Sequence, residues 1–197
     1  MESPLPKARR PRADLDLATI DEAALMELRL CDLPLHLKGS WVEERVQTLY
    51  AELDAHDLRL RPPCYIGDEW FTPDGGVAIA IPFYLFHPRL LALEKKVMLE
   101  AEGEAPDDCL RLLRHECGHS VVHAFHLIRR RAWITLFGDP KAEARDFYHF
   151  RPHSRSFVRH LKGWYAQSHP EEDFDETFAV WLDPKSDWRK RYAGWPA

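Results

Sequence analysis

The hydrophobic and polar positions in the first half of the chain predict three amphipathic helices. Apolar residues recur with the period of one helical face over about Ile20–Leu30, Trp41–His56 and Leu90–Ala101. Ser40 stands directly before the second of these segments, where a serine hydroxyl can cap the first free backbone N–H groups of a helix. The N-terminal half is therefore predicted to be mainly helical.

A period-two pattern interrupts the helices. Bulky side chains alternate with small ones over Val77–Leu85, and the turn signal Pro-Asp-Gly-Gly at 73–76 comes just before them. Pro82 lies within this segment and has no N–H to donate to a neighbouring strand, which favours an edge position. We expect a small antiparallel or mixed sheet with Val77–Leu85 at its edge.

Two further helices are predicted in the second half. The first has Asp107 as a candidate cap and continues for at least five turns; the second starts near His169 and stops at Asp183, before Pro184. The stretch 129–162 has a mixed pattern and receives no assignment. Helices around a small sheet predict an α+β fold.

Composition limits the possible functions. A chain of 197 residues with 45% apolar residues can form one domain with its own core, which we assign to residues 13–197. The net charge of −5 gives no reason to expect nucleic-acid binding, and no apolar run has the length of a membrane span. Residues 1–12 are basic and proline-rich without an apolar segment after them, which predicts a disordered tail and not a secretory signal. The four cysteines are scattered, as expected for reduced thiols in a cytoplasmic protein.

The segment His115-Glu-Cys-Gly-His119 carries candidate metal chemistry. Histidines four apart on a helix project from one face and can bind one metal ion, and Glu116 lies beside that face, where it can reach a water without ligating the metal. Cys117 belongs to the opposite, apolar side. The alternative is an amphipathic helix whose histidine rings are solvated.

Two nearby histidines share roughly the same face. His123 lies too far along the helix from the predicted metal, and we interpret both His123 and His126 as lining or packing residues. An extended metzincin motif would need glycine and histidine where this chain has Val122 and Phe125, so that class is excluded.

A catalytic zinc site needs a third protein ligand, and the last predicted helix contains one candidate pair. Glu172 and Glu176 are four residues apart, and like charges at this spacing destabilise an isolated helix. A bound cation would make the same pair of carboxylates stabilising. We predict Glu172 as the third ligand and Glu176 as the carboxylate behind a histidine ring. The alternative is a solvated acidic helix start, which the helix dipole also favours.

These motifs resemble those of a known class. A His-Glu-x-x-His helix followed by Glu-x-x-x-Glu resembles the gluzincin metallopeptidases, and from about Cys109 to the C-terminus the chain is similar to a bacterial zinc-binding metallopeptidase family. The resemblance implies a zincin-like fold, one zinc ion on His115, His119 and Glu172, and Glu116 as the catalytic base. Tyr165 stands seven residues before Glu172, the position of the active-site tyrosine in anthrax lethal factor.

The function that we expect from these motifs is zinc-dependent hydrolysis of peptide or protein substrates. Tyr165 is the first candidate to stabilise the oxyanion and His169 the second, and the predicted edge strand could bind the substrate backbone. The main alternative is a zinc-binding regulatory module with little or no turnover. A protease that acts on DNA-bound proteins would rest only on the basic tail and the run 129–131. The oligomeric state does not follow from the sequence.

Overall fold

The computed structural model describes residue 12, residues 14–143 and residues 147–196. Most of the predicted tail lies outside these residues. Within it, only Arg12 is described, and its N–H donates to the carbonyl of Asp32 at 3.0 Å.

The N-terminal part contains a short helix and a long one. Helix α1 spans Glu22–Met26 and is shorter than predicted, because Leu25 is its only buried side chain and tertiary packing is what supports most helices. Helix α2 spans Trp41–Ala55, and Ser40 caps it by accepting from the N–H of Glu43, as predicted.

The sheet is smaller than predicted and has a different direction of pairing. Strand β1 (Cys64–Gly67) and strand β2 (Ile79–Pro82) are parallel, so the antiparallel part of the expected antiparallel or mixed sheet is limited to one bridge. The turn at 73–76 does form, but the hairpin around it is reduced to a single antiparallel bridge between Phe71 and Ala80. The strand stops at Pro82, after which the chain enters a 3₁₀ turn, and all four residues of β2 are buried.

Five more α-helices follow in the part of the chain that the structure describes. They are α3 (Pro88–Met98), α4 (Pro106–Ala124), α5 (Arg131–Phe137), α6 (Pro170–Leu182) and α7 (Trp188–Arg191). The structure thus combines helices with a small sheet. The expectation that Asp107 caps α4 is wrong, because Ala105 occupies the cap position and makes no side-chain bond there.

Helix α4 lies at the centre of the fold. It packs against both α2 and α6. Its predicted apolar side is buried in the core, with Leu113 and Cys117 fully enclosed. All four cysteines are free thiols. None of the helices in the described ranges has both the length and the apolar character needed to cross a membrane.

Candidate metal centre

Two neighbouring helices bring three metal-binding side chains together. Helix α4 contributes His115 and His119, and α6 contributes Glu172. One ligand atom from each lies within 4.8 Å of the others. Oε2 of Glu172 is 3.2 Å from Nε2 of His115 and 3.7 Å from Nε2 of His119. The side chains that the sequence selects as ligands therefore converge on one point.

The close contact between α4 and α6 depends on Gly118. A Cβ atom at this position would lie 2.6 Å from Oδ1 and 2.8 Å from Cα of Asp175. Only a residue without a side chain lets the backbone of α6 approach the histidine-bearing turn so closely. The glycine between the two histidines is thus a packing residue of the site.

Each histidine ring has a carboxylate behind it. Nδ1 of His115 lies 3.1 Å from Oε1 of Glu176, and Nδ1 of His119 lies 2.9 Å from Oδ2 of Asp175. A carboxylate at Nδ1 favours a proton on that nitrogen and leaves Nε2 free to bind a metal. Glu176 has the place predicted for it. The role of Asp175 was missed, although its spacing of three from Glu172 on the same helix face was a usable signal.

The oxygen of Glu172 that faces the rings gives a test of whether a cation fits. Oε2 is buried and makes no hydrogen bond of acceptable geometry, despite its short distances to both Nε2 atoms. Carboxylates lie at Nδ1 of both His115 and His119. The Nε2 lone pair of each ring and a lone pair of Oε2 of Glu172 therefore face the same point. Such an arrangement is unfavourable unless a proton or a metal ion lies between them. The alternative of solvated histidine rings is wrong, because His115 is buried and His119 is largely so.

The site is strongly polarised in the absence of metal. Burial lowers the pKa of His115, but Glu172 and Glu176 outweigh burial and raise it well above the usual value. Burial is likewise outweighed at His119, where Asp175 raises the pKa to about 9. At Glu172 burial is overcome by both histidines, so the pKa of this carboxyl is lowered. Burial raises the pKa of Asp175 to about 6. At neutral pH these groups form a compact set of opposite charges.

Glu116 lies beside the ligands and is not one of them. Its Oε2 is 2.9 Å from the hydroxyl of Thr72, which comes from the segment between β1 and β2. Burial raises the pKa of Glu116, and the two histidines and Thr72 only partly oppose this. Glu116 lines a cleft of about 380 Å³ together with His115 and Tyr165. A carboxylate with a raised pKa at an open cleft suits proton transfer near neutral pH.

Tyr165 is carried over the same cleft by a loop in which Lys162–Gln167 form a kinked 3₁₀ helix. Its ring centroid is 5.6 Å from that of His115, and burial raises the pKa of its phenol, which stays protonated as a donor. Glu176 anchors the start of this loop, because its Oε2 accepts from the N–H of His160 at 3.2 Å and of Leu161 at 2.8 Å. The same carboxylate therefore orients a histidine ring and holds the loop that carries Tyr165.

The remaining histidines are placed outside the ligand set. His169 caps α6, with Nδ1 accepting from the N–H of Glu171 and Nε2 at 3.0 Å from the carbonyl of Ala142. Both ring nitrogens are engaged, so the structure does not support His169 as the second oxyanion donor. His123 and His126 are not among the described residues that converge with Glu172; His123 is half-buried and His126 is exposed, so His126 does not pack.

Comparison with protein-family models, with curated proteins and with solved structures finds no match to this chain. Any functional interpretation therefore depends on the geometry of the residues themselves.

Proposed function

We propose that the protein is a zinc-dependent peptidase of gluzincin-like design, with one zinc ion held by His115, His119 and Glu172. The observation that carries this proposal is the buried, unbonded Oε2 of Glu172 facing two imidazole nitrogens whose rings are backed by carboxylates. Nitrogen and carboxylate donors in a set of three are typical of catalytic zinc, which keeps a fourth position open. Residues 13–197 would form the metallopeptidase domain.

The residues around the cleft divide the chemistry between them. Zinc, when bound, supplies a Lewis acid that acidifies water and polarises the scissile carbonyl. Glu116 accepts a proton from water during attack on the carbonyl and passes it to the departing amine. The phenol O–H of Tyr165 donates to the oxyanion as negative charge develops there. Thr72 keeps the carboxylate of Glu116 oriented towards the cleft.

The substrate would enter by a different route from the one the sequence suggested. Strand β2 is buried, and the N–H of Ala80 is bonded to the carbonyl of Phe71, so β2 does not offer a free edge for a substrate strand. The cleft instead lies between the segment 100–104 and the loop that contains Leu161 and Tyr165. We propose that the peptide lies in this cleft.

A zinc-binding module without turnover is the alternative that an experiment must separate from the peptidase. Such a module has no need of a carboxylate beside the metal or of an open cleft next to it. The presence of both at Glu116 favours the enzyme. A cytoplasmic location stays a prediction, and a protease that acts on DNA-bound proteins stays an alternative that rests only on the basic tail and the run 129–131.

The decisive experiment compares Glu116→Gln with the wild type. The amide preserves the size of the side chain and can still bond to Thr72, but it removes the base. Zinc content should be unchanged, while turnover of any library peptide that the wild type cleaves should fall by about 10²–10⁴-fold. Glu104→Gln is the matched control, since it removes a charge from the rim of the same cleft, where Glu104 pairs with Lys95.

Three outcomes are informative. Equal cleavage by wild type and Glu116→Gln would show that another residue is the base. A similar loss in Glu104→Gln would attribute the effect to the charge of the cleft and not to proton transfer. Zinc-loaded wild type that cleaves no peptide would support the module without turnover.

A further inference from the structure

The chain makes a strained turn directly before Tyr165. Gly163 and Trp164 both have left-handed backbone torsions, with φ of 76° and 57°. Glycine adopts such torsions freely, but a residue with a Cβ atom such as Trp164 is disfavoured there. A residue in this conformation persists only where the surrounding structure fixes it, and such residues are concentrated at active sites. The turn at 163–164 therefore requires contacts that hold it.

A neighbouring segment, 147–151, supplies these contacts. The phenol O–H of Tyr148 donates to the carbonyl of Gly163 at 2.8 Å. The ring of Phe150 is stacked on the indole of Trp164, with 4.3 Å between the ring centroids and 13° between the ring planes. Each of the two left-handed residues thus has an aromatic partner in this segment.

The same segment holds the chain beyond Tyr165. The side-chain amide of Gln167 accepts from the N–H of Arg151 at 2.8 Å and donates to the carbonyl of Arg151 at 3.1 Å. Tyr165 therefore lies between two points at which segment 147–151 is bonded to its loop. Because the turn immediately precedes Tyr165, a change in the torsions of the turn would move the phenol away from the cleft.

The exposure of Phe150 indicates that its ring contributes more to the turn than to the core. Phe150 is 43% exposed, and within the described ranges its ring pairs only with the rings of Trp164 and Tyr148. Neither Tyr148 nor Phe150 lines the cleft at Glu116. Any effect of these two residues on the site must therefore act through the loop that they contact.

We propose that Tyr148 and Phe150 are positioning residues, which hold the turn at 163–164 and thereby keep the phenol of Tyr165 beside His115. The position of the phenol does not depend on any activity of the protein. The consequence for turnover rests on the proposed peptidase function, in which Tyr165 donates to the oxyanion. The two consequences are measured separately.

Fluorine NMR measures the position of the phenol without metal or substrate. The metal-free, full-length protein is labelled with 3-fluorotyrosine, and Tyr165→Phe identifies the resonance of Tyr165 by its loss. This resonance depends on the ring of His115, whose centroid is 5.6 Å away in the wild type. Phe150→Ala should shift the resonance towards the value of an exposed tyrosine. Phe147→Ala is the matched control, because it truncates a 93% exposed ring of the same segment and should leave the resonance unchanged.

Kinetic measurements test the consequence for turnover. Tyr165→Phe removes the oxyanion donor and should lower kcat by about 10²–10³-fold. Phe150→Ala should lower kcat by about tenfold or more and leave KM within about twofold, because the affected interaction forms only in the transition state. When combined with Tyr165→Phe, Phe150→Ala should cause no further loss. Tyr148→Phe keeps the ring but removes the bond to Gly163, and it should show the same pattern with a smaller loss.

The proposal is overturned if the fluorine resonance of Tyr165 is the same in Phe150→Ala as in the wild type, or if Phe147→Ala shifts it as much. It is also overturned if Phe150→Ala lowers kcat equally with and without the phenol of Tyr165, since Phe150 would then act elsewhere. A wild type that cleaves no peptide contradicts the proposed peptidase, and the fluorine comparison then decides alone. Tyr148→Phe provides the same comparison if Phe150→Ala does not fold.

Discussion

Replacing Glu176 by glutamine should lower the zinc affinity of the candidate metal centre by more than the loss of one charge would. Glu176 is fully buried, and both of its oxygens act as acceptors. Oε1 faces Nδ1 of His115, and Oε2 accepts from the backbone N–H groups of His160 and Leu161. A glutamine has only one acceptor oxygen, so its NH₂ group must face donors on one side or the other.

Either orientation of the amide has a cost. If the NH₂ group faces His115, it opposes a proton on Nδ1 and favours the tautomer with the proton on Nε2, the nitrogen that a metal needs. If it faces the loop, two buried N–H groups lose their acceptor. Buried unsatisfied donors cost on the order of 1–3 kcal/mol. Loss of the carboxylate behind a metal-binding histidine lowers metal affinity by roughly 10- to 100-fold. We expect Glu176→Gln to lose zinc affinity at the upper end of this range.

Asp175→Asn is the matched comparison. Asp175 lies behind His119 in the same way, but it makes no hydrogen bond to a backbone donor within the described residues. An asparagine can therefore turn its oxygen to Nδ1 of His119, and the NH₂ group then replaces Oδ1, which is buried and has no hydrogen-bond partner. The cost of this unpaired NH₂ group falls on the protein with and without zinc, so it lowers stability and not zinc affinity. This variant should lose only the charge and should fall at the lower end of the same range, about tenfold.

Zinc affinities of the two variants and the wild type are measured by competition with a chelator of known affinity. Circular dichroism of the zinc-free proteins serves as the folding control. The reasoning is refuted if Asp175→Asn loses as much affinity as Glu176→Gln or more. Unchanged affinity in both variants would mean that the carboxylates do not act through the histidines.

Two further predictions concern the metal itself. Elemental analysis of purified protein should find one zinc ion per chain, and Glu172→Ala should lose most of it, because two histidines alone hold zinc weakly; full retention in this variant would contradict Glu172 as a ligand. Zinc binding should release protons, because the pKa of His119 is raised from 6.5 to about 9 in the metal-free site and the ligand must be deprotonated. Zinc affinity should therefore rise with pH up to about 9, and calorimetry in buffers of different ionisation enthalpy measures the protons released. The raised pKa of His119 stabilises the metal-free protein, and this contribution is lost as the pH rises from 6.5 through about 9, so thermal stability without zinc should fall over that interval. Zinc uptake without proton release would contradict the raised pKa.

The convergence of the three candidate ligands could be predicted because it depends on local rules. A spacing of four places His115 and His119 on one helix face in any helix, and the same rule aligns Glu172 with Glu176. The helix at Trp41–Ala55 and its Ser40 cap follow from equally local signals. The contact between the two helix faces does not follow from these rules. It was indicated by their complementary chemistry, because one face carries histidines and the other carries glutamates.

The features that were missed depend on contacts between segments far apart in the sequence. The alternation at Val77–Leu85 indicates a strand but not its partner. Pairing with Cys64–Gly67 made the strand parallel, and Pro82 ended it early. Likewise, the spacing of Asp175 from Glu172 places it on the right face, but only the close approach at Gly118 brings it to His119.

Glu176 shows most clearly that the sequence predicts the helix face on which a residue lies better than it predicts the groups that contact this residue. Its role behind a histidine is a matter of helical phase, and the prediction needed no knowledge of the fold. Its second role, holding the backbone at His160 and Leu161, involves N–H groups, which every residue except proline possesses and which therefore leave no mark in the sequence. Because the loop held in this way carries Tyr165, the position of the proposed oxyanion donor depends on a contact that no pattern of side chains records. A single buried carboxylate thus links the metal-binding helix to the cleft, and its replacement tests both links at once.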